Sequence, residues 1–135
     1  MKDKEIDIMA RTIFGEARGE LARYGTVALI AIANVIFNRY KKHFAKSIDA
    51  VCLAPQQFSC WNKNDPNYSK MIAVDEKNDI FRKCLEIATN VINGKYPDIT
   101  DGCDHYHACY VKPYWAANLR PKHTFGSHYF YNLSK

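Results

Sequence analysis

The run Thr26-Val-Ala-Leu-Ile-Ala-Ile-Ala-Asn34 is apolar on nearly every side of a helix. A helix of that kind needs neighbours on several sides, so the rest of the chain must build a core around it. The periodicity starts near Tyr24 or Gly25 and continues to about Lys41. Its longest apolar stretch, Val27 to Phe37, contains Asn34 and falls short of the roughly 20 apolar residues that span a bilayer, so membrane insertion is not expected.

Two more helices are legible. Ile6, Met9, Ala10, Ile13, Phe14 and Ala17 follow the i, i+3, i+4, i+7 rule, which predicts a helix from about Lys4 to Arg18 with Gly19 as its stop. Ile80, Cys84, Ile87, Ala88 and Val91 mark another, ended by Asn93-Gly94 with Pro97 beyond. Between Lys42 and Asp79 the period breaks up, and Ala54–Trp61 followed by Asn62–Asn67 reads as loop that lines part of a groove. After Thr100 the aromatic runs Tyr106–Tyr110 and His128–Tyr131 suit strands. The expectation is a single α+β domain over 1–135, mainly helical, with a small antiparallel sheet near the C-terminus.

A length of 135 residues suits one core, and 18 aromatics (9 Tyr, 7 Phe, 2 Trp) argue for a folded one. The formal charge of +5 favours a polyanion, be it nucleic acid, an anionic membrane or a wall polymer. Lys and Arg are scattered and no nucleic-acid module is recognisable, so nucleic acid is not the expected partner. Met1–Asp7 is charged and lacks the apolar core of a secretory signal, so no signal peptide is expected. With that reading the five cysteines, Cys52, Cys60, Cys84, Cys103 and Cys109, are expected as free thiols, although Cys52 with Cys60 or Cys103 with Cys109 would close a loop in an oxidising space. Cys103, His105, His107 and Cys109 alternate as strand residues, which spreads them over about 20 Å at roughly 3.4 Å per residue. Zinc ligands must all lie about 2.0–2.3 Å from one ion. No metal and no cofactor are therefore expected, and nothing in the sequence pairs a particular Cys with a His as a nucleophile.

Functional interest concentrates in Ile13-Phe-Gly-Glu-Ala-Arg-Gly-Glu20. Glu16 ends an apolar run just before a glycine break, where a carboxylate is either a solvated helix-end charge or a partly dried, reachable acid suited to proton donation. Glu20 lies four residues on, and on a continuous helix the two Cβ atoms would be about 5–6 Å apart. That spacing superficially matches the roughly 5–5.5 Å between the carboxyls of retaining glycosidases, but such a pair must flank the scissile bond, and two Glu on one helix face do not. Glu20 is expected instead as a surface partner of Arg18 or Arg23.

The chain resembles the SleB-type cell wall hydrolase family, which includes spore-cortex-lytic enzymes and related bacterial and phage wall hydrolases. The resemblance runs through Ala10–Glu20, Gly25, Val27–Asn34, Val35-Ile-Phe-Asn38-Arg39, Val51–Ser59 and Gly126-Ser-His128-Tyr-Phe130, in the family's order. It implies a lysozyme-like, lytic transglycosylase-like catalytic domain acting on peptidoglycan glycan strands, with Glu16 as the single catalytic glutamate. It also implies that Gln57, Phe58, Tyr106, His128 and Phe130 line the groove, though Phe58 and Phe130 equally suit a core. Lys112–Asn118 is similar to the family's aromatic stretch, which makes Trp115 a sugar-stacking residue or a core Trp. The activity implied is cleavage between N-acetylmuramic acid and N-acetylglucosamine with a 1,6-anhydro product. A hydrolytic muramidase and a non-catalytic wall-binding module of the same fold are the alternatives. The expected setting is a monomeric phage or prophage lysin, made in the cytoplasm and acting on the wall after release, or carried in a virion.

Overall fold

The fold is that of a computed structural model, which describes residues 2–55 and 57–134. Gln56, within the Val51–Ser59 segment, lies outside them. Helix α3, Val27–Lys41, is the central element, with Ala28, Leu29 and Ala31–Ile36 buried. Helix α1, Lys2–Ala17, and helix α6, Asp79–Ile92, pack on one another and on α3. Met9, Ile13 and Phe14 of α1 meet Phe81, Cys84, Ile87 and Val91 of α6 in one core, where Phe14 and Phe81 stand edge to face with ring centres 6.0 Å apart. Helix α6 is opened by Asn78, whose side chain accepts from the Phe81 N–H at 3.0 Å. The three long helices thus lie close to where their apolar periods place them.

The segment expected as loop is more ordered than its periodicity shows. It holds helix α4, Ile48–Leu53, a 3-10 turn at Ser59–Trp61 and helix α5, Tyr68–Ala73. Six residues are too few for a helical period to emerge from a sequence, and tertiary groups hold these pieces instead. Ser47 caps α4 by accepting from the Ala50 N–H at 3.2 Å. Arg11 of α1 donates to the carbonyls of Met71, Ile72 and Val74 at 2.8, 3.2 and 2.9 Å, closing the C-terminal end of α5. The Gly19 break is real but brief: helix α2, Glu20–Tyr24, follows at once.

The C-terminal third forms a three-stranded antiparallel sheet in the order β1-β3-β2, from β1, His105–Ala108, β2, His123–Phe125, and β3, His128–Tyr131. Three-residue β2 is too short to carry a readable alternation and is not among the strands expected from the aromatic runs. Tyr106 is directly opposite Phe130, so Tyr106, His128 and Phe130 share the inward face of the sheet. The segment leading into β1 is pinned by Asp104, a side chain 0% exposed that accepts from Lys42 Nζ at 3.0 Å, His105 Nδ1 and the Leu133 N–H at 2.9 Å each, and the Ser134 hydroxyl. Arg39 Nε donates to the Asp104 carbonyl at 2.7 Å, which ties the same point to α3.

Candidate active site

Glu16 occupies the last turn of α1, half-buried, and lines a cleft of about 370 Å³. The glycine before it makes the site possible. A Cβ on Gly15 would stand 2.6 Å from Cys60 Cβ and 2.8 Å from Cys60 Sγ, so only glycine lets the Ser59–Trp61 turn pack this close to α1. That approach brings the Cys60 N–H to Glu16 Oε2 at 3.3 Å, while Tyr106 Oη donates to Oε1 at 2.7 Å. Trp61 Nε1 donates to Thr12 Oγ1 at 2.9 Å and fastens the turn one helical turn further back. The carboxylate is therefore oriented by two donors from distant segments, one in the middle of the chain and one in the sheet.

The neighbouring groups are chemically quiet. Burial, reinforced by Glu16, holds the Tyr106 hydroxyl well above its ordinary pKa, so it remains a phenol that donates. Burial and the adjacent Glu16 likewise raise the Cys60 thiol, and burial pushes Cys52 up to about 12, so neither is a ready thiolate nucleophile. All five cysteines are free thiols. Among the described residues no three His, Cys, Asp or Glu side chains gather in a way that could hold a metal ion.

The cleft brings together four of the seven residues singled out from the sequence: Glu16, Gln57, Tyr106 and His128. Gln57 is exposed on the rim and accepts from Arg39 Nη1 at 3.3 Å. Phe58 and Phe130 do not line the cleft. At 2% and 0% exposed they are packed beneath Tyr106, with ring centres 6.4 and 5.6 Å from it, and their role is to support that ring. Trp115 sits on the outward face of the sheet, against His105, His107 and Tyr131 at 5.2, 5.7 and 5.2 Å, away from the cleft lining. Strand alternation decides this, because odd-numbered β1 and β3 residues point away from Glu16.

Two site residues were misread or missed. Glu20 is not a surface partner of arginine: Arg18 reaches Asn67 at 2.8 Å and lies over Phe14, and Arg23 lies over Tyr24. Glu20 instead accepts from both the N–H and the hydroxyl of Ser127, each at 2.8 Å, and so braces the turn that leads into His128. The adjoining Gly126 has φ +57°, and a Cβ there would collide with Glu20 Oε1. Glycine at position 126 was visible in the sequence, but its partner lies more than a hundred residues away. Arg39, 6% exposed, lies across the cleft wall, stacked over Phe58 at 5.1 Å; burial lowers its pKa from the ordinary arginine value.

The cell wall hydrolase family model matches residues 25–131. The chain belongs to the cell wall hydrolase family. The match begins after Glu16, so the case for that residue rests on the cleft geometry. The fold is similar to the catalytic domain of the Bacillus cereus SleB protein, with a TM-score of 0.73 at 22% identity over 95% of this chain and 89% of that one. It is equally similar to the catalytic domain of the germination-specific lytic transglycosylase SleB from Bacillus anthracis, with a TM-score of 0.70 at 23% identity over 93% and 92%. No curated protein matches the sequence. A mainly helical wall-hydrolase domain with a small C-terminal sheet, of the lysozyme-like and lytic transglycosylase-like kind, is thus the architecture of this chain.

Proposed function

We propose that this cell wall hydrolase cleaves the glycan strands of peptidoglycan between N-acetylmuramic acid and N-acetylglucosamine, as a lytic transglycosylase with Glu16 as its proton donor. One observation carries the reading: Glu16 is the only carboxylate among the described residues lining the cleft, and two donors orient it there. A lone carboxyl is enough for this chemistry. Protonated Glu16 gives its proton to the glycosidic oxygen, and the muramyl 6-hydroxyl closes on C1 of its own sugar. Intramolecular attack works through effective concentration, so no second carboxylate is required to activate water. In the simplest form of the reaction, Glu16 also receives the hydroxyl proton. The likeness to a solved lytic transglycosylase domain supports this class over a hydrolytic muramidase.

The test is fragment release from purified sacculi, with products weighed by mass spectrometry. Wild-type protein should release 1,6-anhydromuramyl fragments, and Glu16→Gln should lower the rate by roughly 10²–10⁴-fold, the usual worth of a positioned acid. Fragments heavier by one water would make the enzyme a hydrolytic muramidase. Undiminished activity in Glu16→Gln would remove Glu16 from the chemistry.

A further inference from the structure

His128 is 7% exposed, and its Nδ1 is sealed from solvent without a hydrogen bond. That nitrogen faces Glu20 Oε1 at 3.5 Å, just beyond hydrogen-bond length. A buried ring nitrogen left in this state calls for an explanation. Glu20 is not free to drift away from it, because both Ser127 donors and the tight Gly126 turn fix the carboxylate. An imidazole beside a fixed carboxylate carries its proton on the nearer nitrogen. Since Nδ1 is sealed and the ring lines the cleft, Nε2 is the nitrogen open to it, and in this tautomer Nε2 is an acceptor.

We propose that His128, positioned by Glu20, is the base of the cleft, taking the proton of the attacking oxygen while Glu16 protonates the leaving oxygen. The proposal rests on the reading of the cleft as a glycan-cleaving site, and it moves one step of the simplest mechanism from Glu16 to His128. The muramyl O6–C1 bond forms and the C1–O bond to N-acetylglucosamine breaks. The O6 proton passes to His128 Nε2, and the Glu16 proton passes to the leaving oxygen. The imidazolium then gives its proton to solvent and the Glu16 carboxylate takes one up, which restores both groups.

The surroundings suit a base. Burial lowers the His128 pKa below the ordinary histidine value, although Glu20 and Glu16 pull it upward; His107 pushes it down. The charged and titratable groups around it are Glu20 on α2, Glu16 on α1 and Tyr106 on β1, with His107 acting from the other face of β1. Its ring is therefore neutral at pH 7, as an acceptor must be. Burial would raise the Glu20 pKa, but the two Ser127 hydrogen bonds and His128 outweigh it and keep Glu20 ionised, ready to stabilise the imidazolium. The Tyr106 ring lies 5.6 Å from that of His128 and its hydroxyl donates to Glu16, so one side chain spaces the acid from the base.

The experiment compares wild type, Glu16→Gln, Glu20→Gln, His128→Gln and His128→Ala on purified sacculi, with melting temperature and sacculus sedimentation measured for each. His128→Gln is expected to lose roughly 10²–10⁴-fold in rate while still sedimenting with sacculi. Added imidazole should restore part of the rate to His128→Ala, an effect that a purely structural histidine would not show. The kcat/KM profile should shift to lower pH on the limb that His128 sets in Glu20→Gln, because the carboxylate that raises the histidine pKa is gone. A His128→Gln rate within about threefold of wild type, with Glu16→Gln inactive, overturns the base assignment and leaves the single-glutamate mechanism standing. If the histidine variants fail to fold, the Glu20→Gln profile decides: a profile with neither limb moved overturns the proposal. No fragment release by the wild type instead defeats the glycan-cleaving reading beneath it, and full release by Glu16→Gln removes Glu16 from the chemistry and overturns the acid–base pair.

Discussion

The helical part of the molecule and its C-terminal third are held together by different forces. Between α1, α3 and α6 the contacts are almost wholly apolar, with Met9, Ile13, Leu29, Ile32, Phe81 and Ile87 at 2% exposure or less. The sheet and its approaches depend on a few directional polar anchors: Asp104 with Lys42, His105 and Ser134; Asn38 with Asp98 and the Cys103 carbonyl; Glu20 with Ser127. Apolar packing fixes a helix by area and volume, whereas a hydrogen-bonded carboxylate fixes one group at one angle. The candidate site lies where the two parts meet. Glu16 and the Cys60 N–H that binds it belong to the helical part, and Tyr106 and His128, which orient or face it from the other side, belong to the sheet.

That contrast can be broken most forcefully in the helical core. Phe81→Ala empties a side chain that is 2% exposed and removes the edge-to-face contact with Phe14. It should cost about 3–5 kcal/mol in chemical denaturation, with little dependence on pH.

Asp104→Ala should act on the sheet in the opposite manner, with a smaller cost of about 1–3 kcal/mol for the donors left unpaired, and with a clear pH signature. Burial would raise the Asp104 pKa, but the bonds from His105, Leu133, Ser134 and Lys42 outweigh it and hold the carboxyl well below the ordinary range. A depressed carboxyl contributes stability that is fully present above its unfolded pKa of about 3.9 and is lost as pH falls through the lower folded value. Melting temperature should therefore fall below about pH 4 in the wild type and fall less steeply in the variant. Equal slopes would mean that Asp104 is not the acid-sensitive anchor of the sheet.

The smallest expected stability change comes at the junction. Gly15→Ala forces the Ser59–Trp61 turn away from α1, at the lower end of the roughly 1–3 kcal/mol typical of overpacking. Because the same displacement withdraws the Cys60 N–H from Glu16, sacculus digestion should fall by more than stability does. An active Gly15→Ala protein would show that the Cys60 contact is dispensable.

Legibility follows the same division. The long helices are written in local periods: an apolar residue at 9, 13 or 87 declares its face through neighbours three or four positions away. Tyr106 and His128 become partners of the Glu16 region only through strand pairing and a contact 90 residues distant, for which single-sequence periodicity holds no signal. The family resemblance, not the pattern of the residues, brought them into view. Phe58, Phe130 and Trp115 show its limit, since an aromatic residue in a groove segment faces either the substrate or the core according to a half-turn of backbone. Glu20 was misjudged for a related reason: its true donors, on Ser127, come from the far end of the chain.

By itself, the sequence determined that a buried central helix would gather two others around it, and that one carboxylate would end the first of them beside a glycine. Burial of apolar area is additive and local enough to be read residue by residue. Only the tertiary structure decided what surrounds that carboxylate: a phenol, a backbone N–H and a histidine braced by a second glutamate. Hydrogen bonds depend on distance and angle, and those exist only after distant segments have met.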